Sequence, residues 1–180
     1  EEVTGVDLVE WQVKVAQGNP LEFSQKDIVL KGHAIECRIY AEDPFSEFLP
    51  TQGTLIQTVD KQKFEGRLES GYEYGNSVNT SYDPMLAKVI IHGETRAKAI
   101  EKTIEQLKNV YFSGITSNRD FLLSILNHPS FVSSQIFTKT LDSELDQFLQ
   151  PKTPKQEALL LAGWIYSDLK TQESFWSDSS

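Results

Sequence analysis

The stretch GHAIECRIYAEDP, residues 32–44, alternates apolar and polar side chains with the period of a β-strand. One face carries His33, Ile35, Cys37, Ile39 and Ala41, and the other carries Ala34, Glu36, Arg38, Tyr40 and Glu42. The first set is typical of a core face. The second set places a carboxylate and a guanidinium, Glu36 and Arg38, on the same side of a firmly held strand.

The pair of Glu36 and Arg38 has two interpretations. Exposed opposite charges on a strand often form a salt bridge or keep the strand soluble, and the spacing alone favours this interpretation. Alternatively, Arg38 presents its planar fork of donors to a carboxylate, a carbonate or a developing oxyanion, and Glu36 holds the fork in place. Asp83 is a second candidate, because a rigid turn at Pro84 would aim its carboxylate at the same cleft, although Asp before Pro is also common in ordinary turns.

The composition is that of a folded, acidic domain. The chain has 180 residues, of which 39% are hydrophobic and 11% aromatic, enough for one full-sized core with an attached helical segment. A net charge of −9 without a basic cluster argues against nucleic acid or an anionic membrane as a partner. No apolar run approaches the roughly 20 residues that a bilayer requires. Because the chain begins with Glu1 rather than Met, we expect it to be a piece of a longer protein.

The remaining reactive side chains predict neither a metal site nor a nucleophile. His33, His92 and His128 fall in three different predicted elements, with no Cys or carboxylate at metal-ligand spacing. The single Cys, Cys37, lies on the predicted core face, so we expect an inert thiol in a reducing compartment. Neither of the Gly-rich phosphate motifs, GxGxxG or GxxxxGK[ST], occurs. A complete nucleotide-hydrolysing machine is therefore not expected in these residues.

The rest of the pattern predicts a small antiparallel β unit with helices against it, an α+β fold. We predict a helix over residues 4–17, capped by Thr4, with an apolar stripe of Val6, Val9, Val13 and Ala16. A strand region over residues 28–41 precedes a loop whose Phe48 and Leu49 are expected to pack back. Short strands are predicted between residues 54 and 91.

Helices dominate the second half of the predicted fold. The helix over residues 94–111 would bury Ala97, Ile100, Ile104, Leu107 and Tyr111. The next would begin at Ser117 in a capping box with Asp120 and bury Phe121, Leu122 and Ile125. Two more are predicted over residues 142–149 and 154–169, the last capped by Thr153 with Pro154 at its first position.

Five stretches in register resemble the C-terminal domain of biotin carboxylase, the ATP-dependent component of acyl-CoA carboxylases. They are GHAIECRIYAEDP (32–44), FLPTQG (48–53), GRLESGYEYGNSV (66–78), YDPMLAKVIIHGETRAKAI (82–100) and GITSNRDFL (114–122). Residues 1–21 resemble the segment that leads into that domain. The resemblance extends to about residue 145. It implies a ligase reaction in which ATP, bicarbonate and biotin give carboxybiotin.

The resemblance also assigns roles to individual residues. Arg38 matches the arginine that contacts bicarbonate and stabilises the enolate-like oxyanion of biotin, and Glu36 is its expected support. Asp83 matches an acidic residue near the biotin end of the site, and Ile115 matches an apolar contact to the adenine ring. Arg67 matches an arginine at the family's dimer interface.

The resemblance implies cofactors and partners that lie largely outside these residues. In the family, the Gly-rich loop, the Mg²⁺ ligands and the glutamate base precede the position of Glu1, so we expect the fragment alone to be inactive and to bind no cofactor tightly. Biotin on a carrier domain, ATP and Mg²⁺ would serve the full-length enzyme. The expected partners are the ATP-grasp part of the same chain, the carrier domain, a carboxyltransferase subunit and a second copy in a homodimer. The expected location is the bacterial cytoplasm or the mitochondrial matrix.

For architecture we expect a small antiparallel sheet or barrel-like β unit of the rudiment single hybrid type. Residues 1–22 would be a lead-in helix, residues 23–149 the domain, and residues 150–180 a linker and helix. The segment TPKQEALLLAGWIYSDLK, residues 153–170, resembles the start of the connection found in methylcrotonoyl-CoA or propionyl-CoA carboxylase α subunits. A surface helix packed on the domain is the simpler alternative.

Two other functions stay open at this point. The first is an assembly module that dimerises or docks a carboxyltransferase, with Arg38 in a structural role. The second is another ATP-grasp ligase, such as a carbamoyl-phosphate or purine-pathway enzyme, against which the ECRIYAEDP motif argues.

Overall fold

The chain divides into two units, residues 1–149 and residues 150–180. The computed structural model describes residues 1–56 and 64–149 of the first unit and residues 156, 159–164 and 166 of the second. The elements of the first unit are α1 (Leu8–Ala16), a 3₁₀ turn (Gln25–Asp27), β1 (His33–Tyr40), β2 (Glu42–Asp43), β3 (Leu49–Pro50), β4 (Gly53–Thr54), β5 (Arg67–Ser70), β6 (Ser77–Val78), β7 (Met85–Gly93), α2 (Arg96–Lys108), α3 (Arg119–Asn127), α4 (Pro129–Val132) and α5 (Thr140–Phe148).

The strand predicted from GHAIECRIYAEDP forms one edge of a three-stranded sheet of order β1-β7-β5. It pairs antiparallel with β7, from His33 opposite Gly93 to Tyr40 opposite Met85, with an irregularity between Ile39 and Tyr40. The short strands β2 and β3, and β4 and β6, form separate two-stranded ladders. The α+β prediction is confirmed, and of the two predicted forms of the β unit the open sheet is the one observed in the described residues.

The alternation along β1 separates core from surface. Cys37, Ile39 and Ala41 are buried, whereas His33 at the start of the strand is exposed. Across the ladder, Cys37 and Ile39 lie opposite the buried Val89 and Ala87 of β7. Helix α2 packs against β7 and closes the core. The predicted core face is therefore confirmed at Cys37, Ile39 and Ala41 and at the half-buried Ile35, which packs against the core, and it is wrong at His33.

Helix α2 is shorter than predicted, and its core face agrees with the prediction at Ile100, Leu107 and the half-buried Ile104 but not at Ala97 and Tyr111. Its buried residues are Ala99, Ile100, Thr103, Gln106 and Leu107, while Ala97 and Tyr111 are exposed. The polar side chains of Thr103 and Gln106 can be buried because each forms a hydrogen bond within the protein. The Thr103 hydroxyl donates to the Ala99 carbonyl at 2.6 Å, and Gln106 Oε1 accepts from the Glu65 N–H at 3.0 Å.

Helix α3 begins at Arg119, so its N-cap position lies one residue after the predicted cap at Ser117. The N-cap residue is Asn118, whose side chain makes no cap hydrogen bond. Leu123 and Leu126 are the buried residues of α3, whereas the predicted Phe121, Leu122 and Ile125 are only half-buried. Phe121 meets the ring of Phe48 edge to face at 5.0 Å, so Phe48 packs back as expected, but Leu49 is exposed.

Helix α1 lies on the surface of its unit and is capped differently from the prediction. Asp7, not Thr4, is the N-cap, since its Oδ1 accepts from the N–H groups of Val9 and Glu10 at 2.9 and 3.0 Å. None of the helical residues is buried, and Val9 of the predicted apolar stripe is 68% exposed.

Two differences concern the second half of the chain. The short helix α4 is absent from the prediction, and α5 begins two residues earlier than predicted, at Thr140. In the second unit, residues 159–164 are helical, in agreement with the helix predicted over residues 154–169. The predicted cap at Thr153 and Pro154 lies outside the described residues. None of the helices in the described part of the chain is long and apolar enough to cross a membrane.

Candidate functional site

One face of the three-stranded sheet carries charged side chains from all three strands. In the register, Arg38 of β1 lies opposite Lys88 of β7, and Lys88 lies opposite Glu69 of β5. Two residues along, Glu36 and Arg67 flank Ile90 in the same way. Residues directly opposite each other share a face, so these groups form one polar surface, while Cys37, Val89 and Leu68 point to the other side.

Two of the three cations in this register are bound by carboxylates. Arg67 Nη1 pairs with Glu1 Oε2 at 2.6 Å, and its other terminal nitrogen pairs with Glu69. Lys88 Nζ pairs with the second oxygen of Glu69. The hydrogen bonds from Lys88 and Arg67 lower the pKa of the Glu69 carboxyl below its ordinary value. Arg67 and Lys88 are thus neutralised by their neighbours on the sheet.

Arg38 differs from these two cations. No ion pair joins it to Glu36 or to another carboxylate among the residues that the structure describes. Its Nη2 lies 3.5 Å from Met85 Sδ, and its Cζ lies 5.3 Å from the centroid of the Tyr40 ring. The salt bridge with Glu36 that the spacing favours is not observed, since residues i and i+2 of a strand stand about 7 Å apart and Arg38 instead extends toward Met85.

The backbone that carries Arg38 is held by a residue from a distant part of the chain, Asn118. The Oδ1 atom of Asn118 accepts from the Tyr40 N–H at 3.0 Å, and its Nδ2 donates to the Arg38 carbonyl at 3.2 Å. The N–H of Asn118 donates to the Tyr40 carbonyl at 3.1 Å. Sequence analysis missed this residue, because an Asn before a helix is typical of a local cap and nothing local indicates a partner on β1.

Asp83 lies at the same end of the sheet as Arg38. Its Oδ1 accepts from the Met85 N–H at 2.8 Å, so Met85 contacts Asp83 through its backbone and Arg38 through its sulfur. The Pro84 carbonyl in turn accepts from the Ala41 N–H at 2.8 Å. The tertiary structure therefore brings together the ends of β1 and β7 that carry the two predicted site residues.

A second carboxyl, that of Glu42, belongs to this end of the sheet. Partial burial raises the pKa of Glu42, and the negative charge of Asp83 raises it further. The Asp83 carboxylate is therefore close enough to disfavour ionisation of Glu42. Sequence analysis placed Glu42 on the polar face of the predicted strand, whereas it lies in β2, and gave it no role.

Ile115 lies in the loop that leads to Asn118. This loop packs on β4: the Ile56 N–H donates to the Ser113 carbonyl at 2.9 Å, and the Thr51 hydroxyl donates to the Thr116 carbonyl at 2.6 Å. The side chain of Ile115 is half-buried against the core, with part of its apolar surface accessible. In the chain, Ile115 lies three residues before Asn118, whose side-chain amide holds the backbone of Arg38.

Arg67 does not join the group around Arg38. It lies on β5 at the far edge of the sheet and lines a cavity of about 320 Å³ with Lys102, Glu65 and Gln106 among its neighbours.

Within residues 1–56, 64–149 and the described part of the second unit, no group of three His, Cys, Asp or Glu side chains could hold a metal ion.

The same region matches a known family. A family profile described as the biotin carboxylase C-terminal domain matches residues 36–143 of the chain, which include Arg38, Arg67, Asp83 and Ile115. This chain belongs to the biotin carboxylase C-terminal domain family. The resemblance drawn from the five sequence stretches is thereby confirmed.

Individual relatives agree with the family profile. The chain is 40% identical over 139 residues to the mitochondrial methylcrotonoyl-CoA carboxylase subunit alpha of Mus musculus, a match that covers 77% of this chain and 19% of that protein. It is 42% identical over 146 residues to the biotin carboxylase of Halalkalibacterium halodurans, covering 81% of this chain and 32% of that protein. The matched part of the chain thus spans about a fifth of the first relative and about a third of the second.

A solved biotin carboxylase domain has the same fold. The dimeric biotin carboxylase domain of Hydrogenobacter thermophilus 2-oxoglutarate carboxylase, in complex with MgADP, ADP and bicarbonate, superposes with a TM-score of 0.77 at 31% identity. The match covers 83% of this chain and 33% of that one. The assignment of the chain to the biotin carboxylase C-terminal domain family is therefore supported by both sequence and three-dimensional structure.

Proposed function

We propose that this chain is the C-terminal part of the biotin carboxylase component of an acyl-CoA carboxylase and contributes the bicarbonate- and biotin-facing half of its site. The observation that carries the proposal is the state of Arg38. Its guanidinium has no carboxylate partner among the described residues, whereas Arg67 and Lys88 on the same sheet face are paired. A rigidly mounted guanidinium whose donors are not taken by a carboxylate suits a planar oxyanion such as bicarbonate.

Each site residue has a role in this proposal. Arg38 contacts bicarbonate and then stabilises the enolate-like oxyanion of biotin, an effect worth about 3 to 4 kcal/mol where one such preorganised donor has been removed from an enzyme. Asp83, fixed by its hydrogen bond from the Met85 N–H, lies at the biotin end. The proposed support of Arg38 by Glu36 rests only on its place two residues away on the same face of β1, since no ion pair joins the two side chains in the described residues. The accessible part of Ile115 contacts the adenine ring.

The remaining components of the reaction come from outside the described residues. ATP and Mg²⁺ supply the phosphoryl transfer that activates bicarbonate, and biotin on a carrier domain supplies the nitrogen that accepts the carboxyl group. The Gly-rich loop, the Mg²⁺ ligands and the glutamate base belong to an ATP-grasp part that precedes Glu1. The related 2-oxoglutarate carboxylase domain, which binds MgADP and bicarbonate as a dimer, supports this assignment.

The proposed partners and location are inferred from the same relatives. We expect four partners: the ATP-grasp part, a biotin carrier domain, a carboxyltransferase subunit and a second copy of the chain that contacts Arg67. The proposed functional class is that of methylcrotonoyl-CoA or propionyl-CoA carboxylase α subunits; relatives of this class are named as mitochondrial, while the bacterial relative is a biotin carboxylase. The mitochondrial matrix or the bacterial cytoplasm is the proposed location.

An assembly module is the second candidate, and specific features favour it. Arg67 is fixed at the sheet edge by Glu1 and Glu69, beside a cavity of about 320 Å³. Helix α1 also exposes apolar side chains such as Leu8 and Val9. In this alternative, Arg38 has a structural role and the domain chiefly joins subunits.

Arg38→Ala and Arg67→Ala in the full-length protein separate the two candidates. We expect Arg38→Ala to lower biotin- and bicarbonate-dependent ADP release by about a hundredfold to a thousandfold while the oligomeric state is unchanged. Arg67→Ala removes an equally charged side chain from the same sheet face and is the matched control. It should change oligomerisation more than it changes the rate per assembled enzyme. Full activity of Arg38→Ala with a lost oligomer would favour the assembly module.

A further inference from the structure

We propose that Asn118 is a positioning residue for Arg38: its side-chain amide fixes the β1 backbone on both sides of the strand irregularity and thereby sets the direction of the guanidinium. The inference rests on the proposed function of Arg38. Asn118 lies 80 residues from Arg38 in the chain, and its hydrogen bonds to the described residues go to backbone groups of β1 and α3, not to the guanidinium or to Asp83. Any effect on chemistry must therefore act through the strand.

The position of β1 in the sheet explains why such a residue is needed. Because β1 is an edge strand, the backbone groups on its outer side have no strand partner. Arg38 and Tyr40 direct their outward carbonyl and N–H groups to the same side, since alternate residues of a strand do so. Asn118 forms hydrogen bonds with these groups as a short neighbouring strand would: its Oδ1 accepts from the Tyr40 N–H, its Nδ2 donates to the Arg38 carbonyl, and its backbone N–H donates to the Tyr40 carbonyl.

The contact falls at the irregularity of β1. The pairing with β7 shifts between Ile39 and Tyr40, one residue after Arg38. The ring of Tyr40 also lies against the Arg38 guanidinium, so both members of that contact are mounted on the backbone that Asn118 holds. Asn118 is only 7% exposed, and water would not readily replace its amide.

Asn118 also joins the strand to the loop that carries Ile115. Its carbonyl accepts the Leu122 N–H at 3.0 Å in the first turn of α3, so the residue is anchored to the helix as well as to β1. A single amide thus sets the spacing between the proposed oxyanion contact and the proposed adenine contact. A displacement of about 1 Å at a reacting group can lower a rate by about a hundredfold.

The first test is Asn118→Ala in the full-length protein, with Gln106→Ala as the matched control. Gln106 is a buried amide, 4% exposed, that accepts from a backbone N–H elsewhere in the domain. We expect both variants to lower Tm, but only Asn118→Ala to lower kcat for biotin- and bicarbonate-dependent ADP release, by between about tenfold and a hundredfold. In an Arg38→Ala background, Asn118→Ala should change the remaining rate by less than about twofold, because the two residues act as one unit.

The second variant, Asn118→Asp, keeps the acceptor for the Tyr40 N–H and alters only the donor to the Arg38 carbonyl. An ionised carboxylate cannot donate, whereas a protonated carboxyl can, and burial would raise the pKa of the introduced group. We therefore expect kcat of the variant, relative to the unsubstituted enzyme, to rise as the pH falls. This variant decides the question if Asn118→Ala does not fold.

Four results would overturn the inference. They are an equal loss of kcat in Gln106→Ala, a full loss caused by Asn118→Ala in the Arg38→Ala background, a pH-independent ratio for Asn118→Asp, and unchanged kcat in the Asn118 variants. If Arg38→Ala is itself fully active, the proposed function fails together with the inference. If Arg38→Ala is inactive while the Asn118 variants are normal, only the inference fails.

Discussion

Gly114→Ala tests whether the loop that carries Ile115 really packs on β4 as closely as the structure shows. Gly114 has a φ of +100°, a conformation that an L side chain rarely adopts. An added Cβ would also overlap the carbonyl oxygen of Thr54 and stand 2.9 Å from Cγ1 of Ile56. Because the obstruction at Thr54 is backbone, it cannot be relieved by rotating a flexible side chain.

The expected loss of stability follows from these two effects. The positive φ alone contributes about 1 to 3 kcal/mol. Relieving the overlap would move the loop away from β4 and break the 2.9 Å hydrogen bond from the Ile56 N–H to the Ser113 carbonyl, which adds about 1 kcal/mol. The free energy of unfolding should therefore fall by about 2 to 4 kcal/mol, a decrease in Tm of roughly 4 to 16 °C for a chain of this size.

Urea unfolding followed by circular dichroism measures the effect, and two other glycines provide controls. Gly75 has a φ of +82° with no atom within 4 Å of an added Cβ, so Gly75→Ala reports backbone strain without overlap. Gly71 has open space and no positive φ, so Gly71→Ala should stay within about 0.5 kcal/mol of the parent. The predicted order of destabilisation is Gly114, Gly75, Gly71. If Gly114→Ala unfolds at the same urea concentration as Gly75→Ala, the close approach to Thr54 is refuted.

Three further predictions concern reactivity, pH and activity. Cys37, 4% exposed and with its pKa raised to about 12 mainly by burial, should resist iodoacetamide in the folded chain and react after unfolding; rapid labelling of the folded chain would contradict this. Burial and the charge of Asp83 raise the pKa of Glu42 above the ordinary 4.5, so the folded chain binds that proton more tightly than the unfolded chain, and the free energy of unfolding falls as pH rises through the pKa. Glu42→Gln should therefore raise Tm near pH 7 and change it little at about pH 3, and an equal gain at both pH values would exclude the mechanism. Purified residues 1–180 should release no ADP in a biotin- and bicarbonate-dependent manner, and activity in a preparation free of other carboxylases would show that the ATP-grasp part is not required.

Local patterns were sufficient for the strand and for the main helices. The alternation in GHAIECRIYAEDP placed Cys37, Ile39 and Ala41 in the core because side chains on a strand must alternate between its faces. On α2 the helical period of hydrophobic residues predicted burial less reliably, because the buried residues include the polar Thr103 and Gln106. Their burial depends on hydrogen bonds to Ala99 and to the distant Glu65, and hydrophobicity does not predict it.

The sequence named some residues of the candidate site, but it did not indicate their interactions. The family resemblance singled out Arg38 and Asp83, and the structure places both against Met85. Asn118 was missed because its partners on β1 lie 78 and 80 residues away in the chain. A hydrogen bond of that range leaves no periodic trace in the sequence.

The shared face of Glu36 and Arg38 could be derived from the sequence, because it follows from the geometry of a single strand. Which cation is neutralised depends instead on how the strands pair. The register of β1 against β7 and of β7 against β5 sets Glu69 within reach of Lys88 and Arg67, and it places Arg38 opposite Lys88 instead of a carboxylate. Charge pairing depends on distances of a few ångströms between separate strands, and only the folded chain fixes those distances.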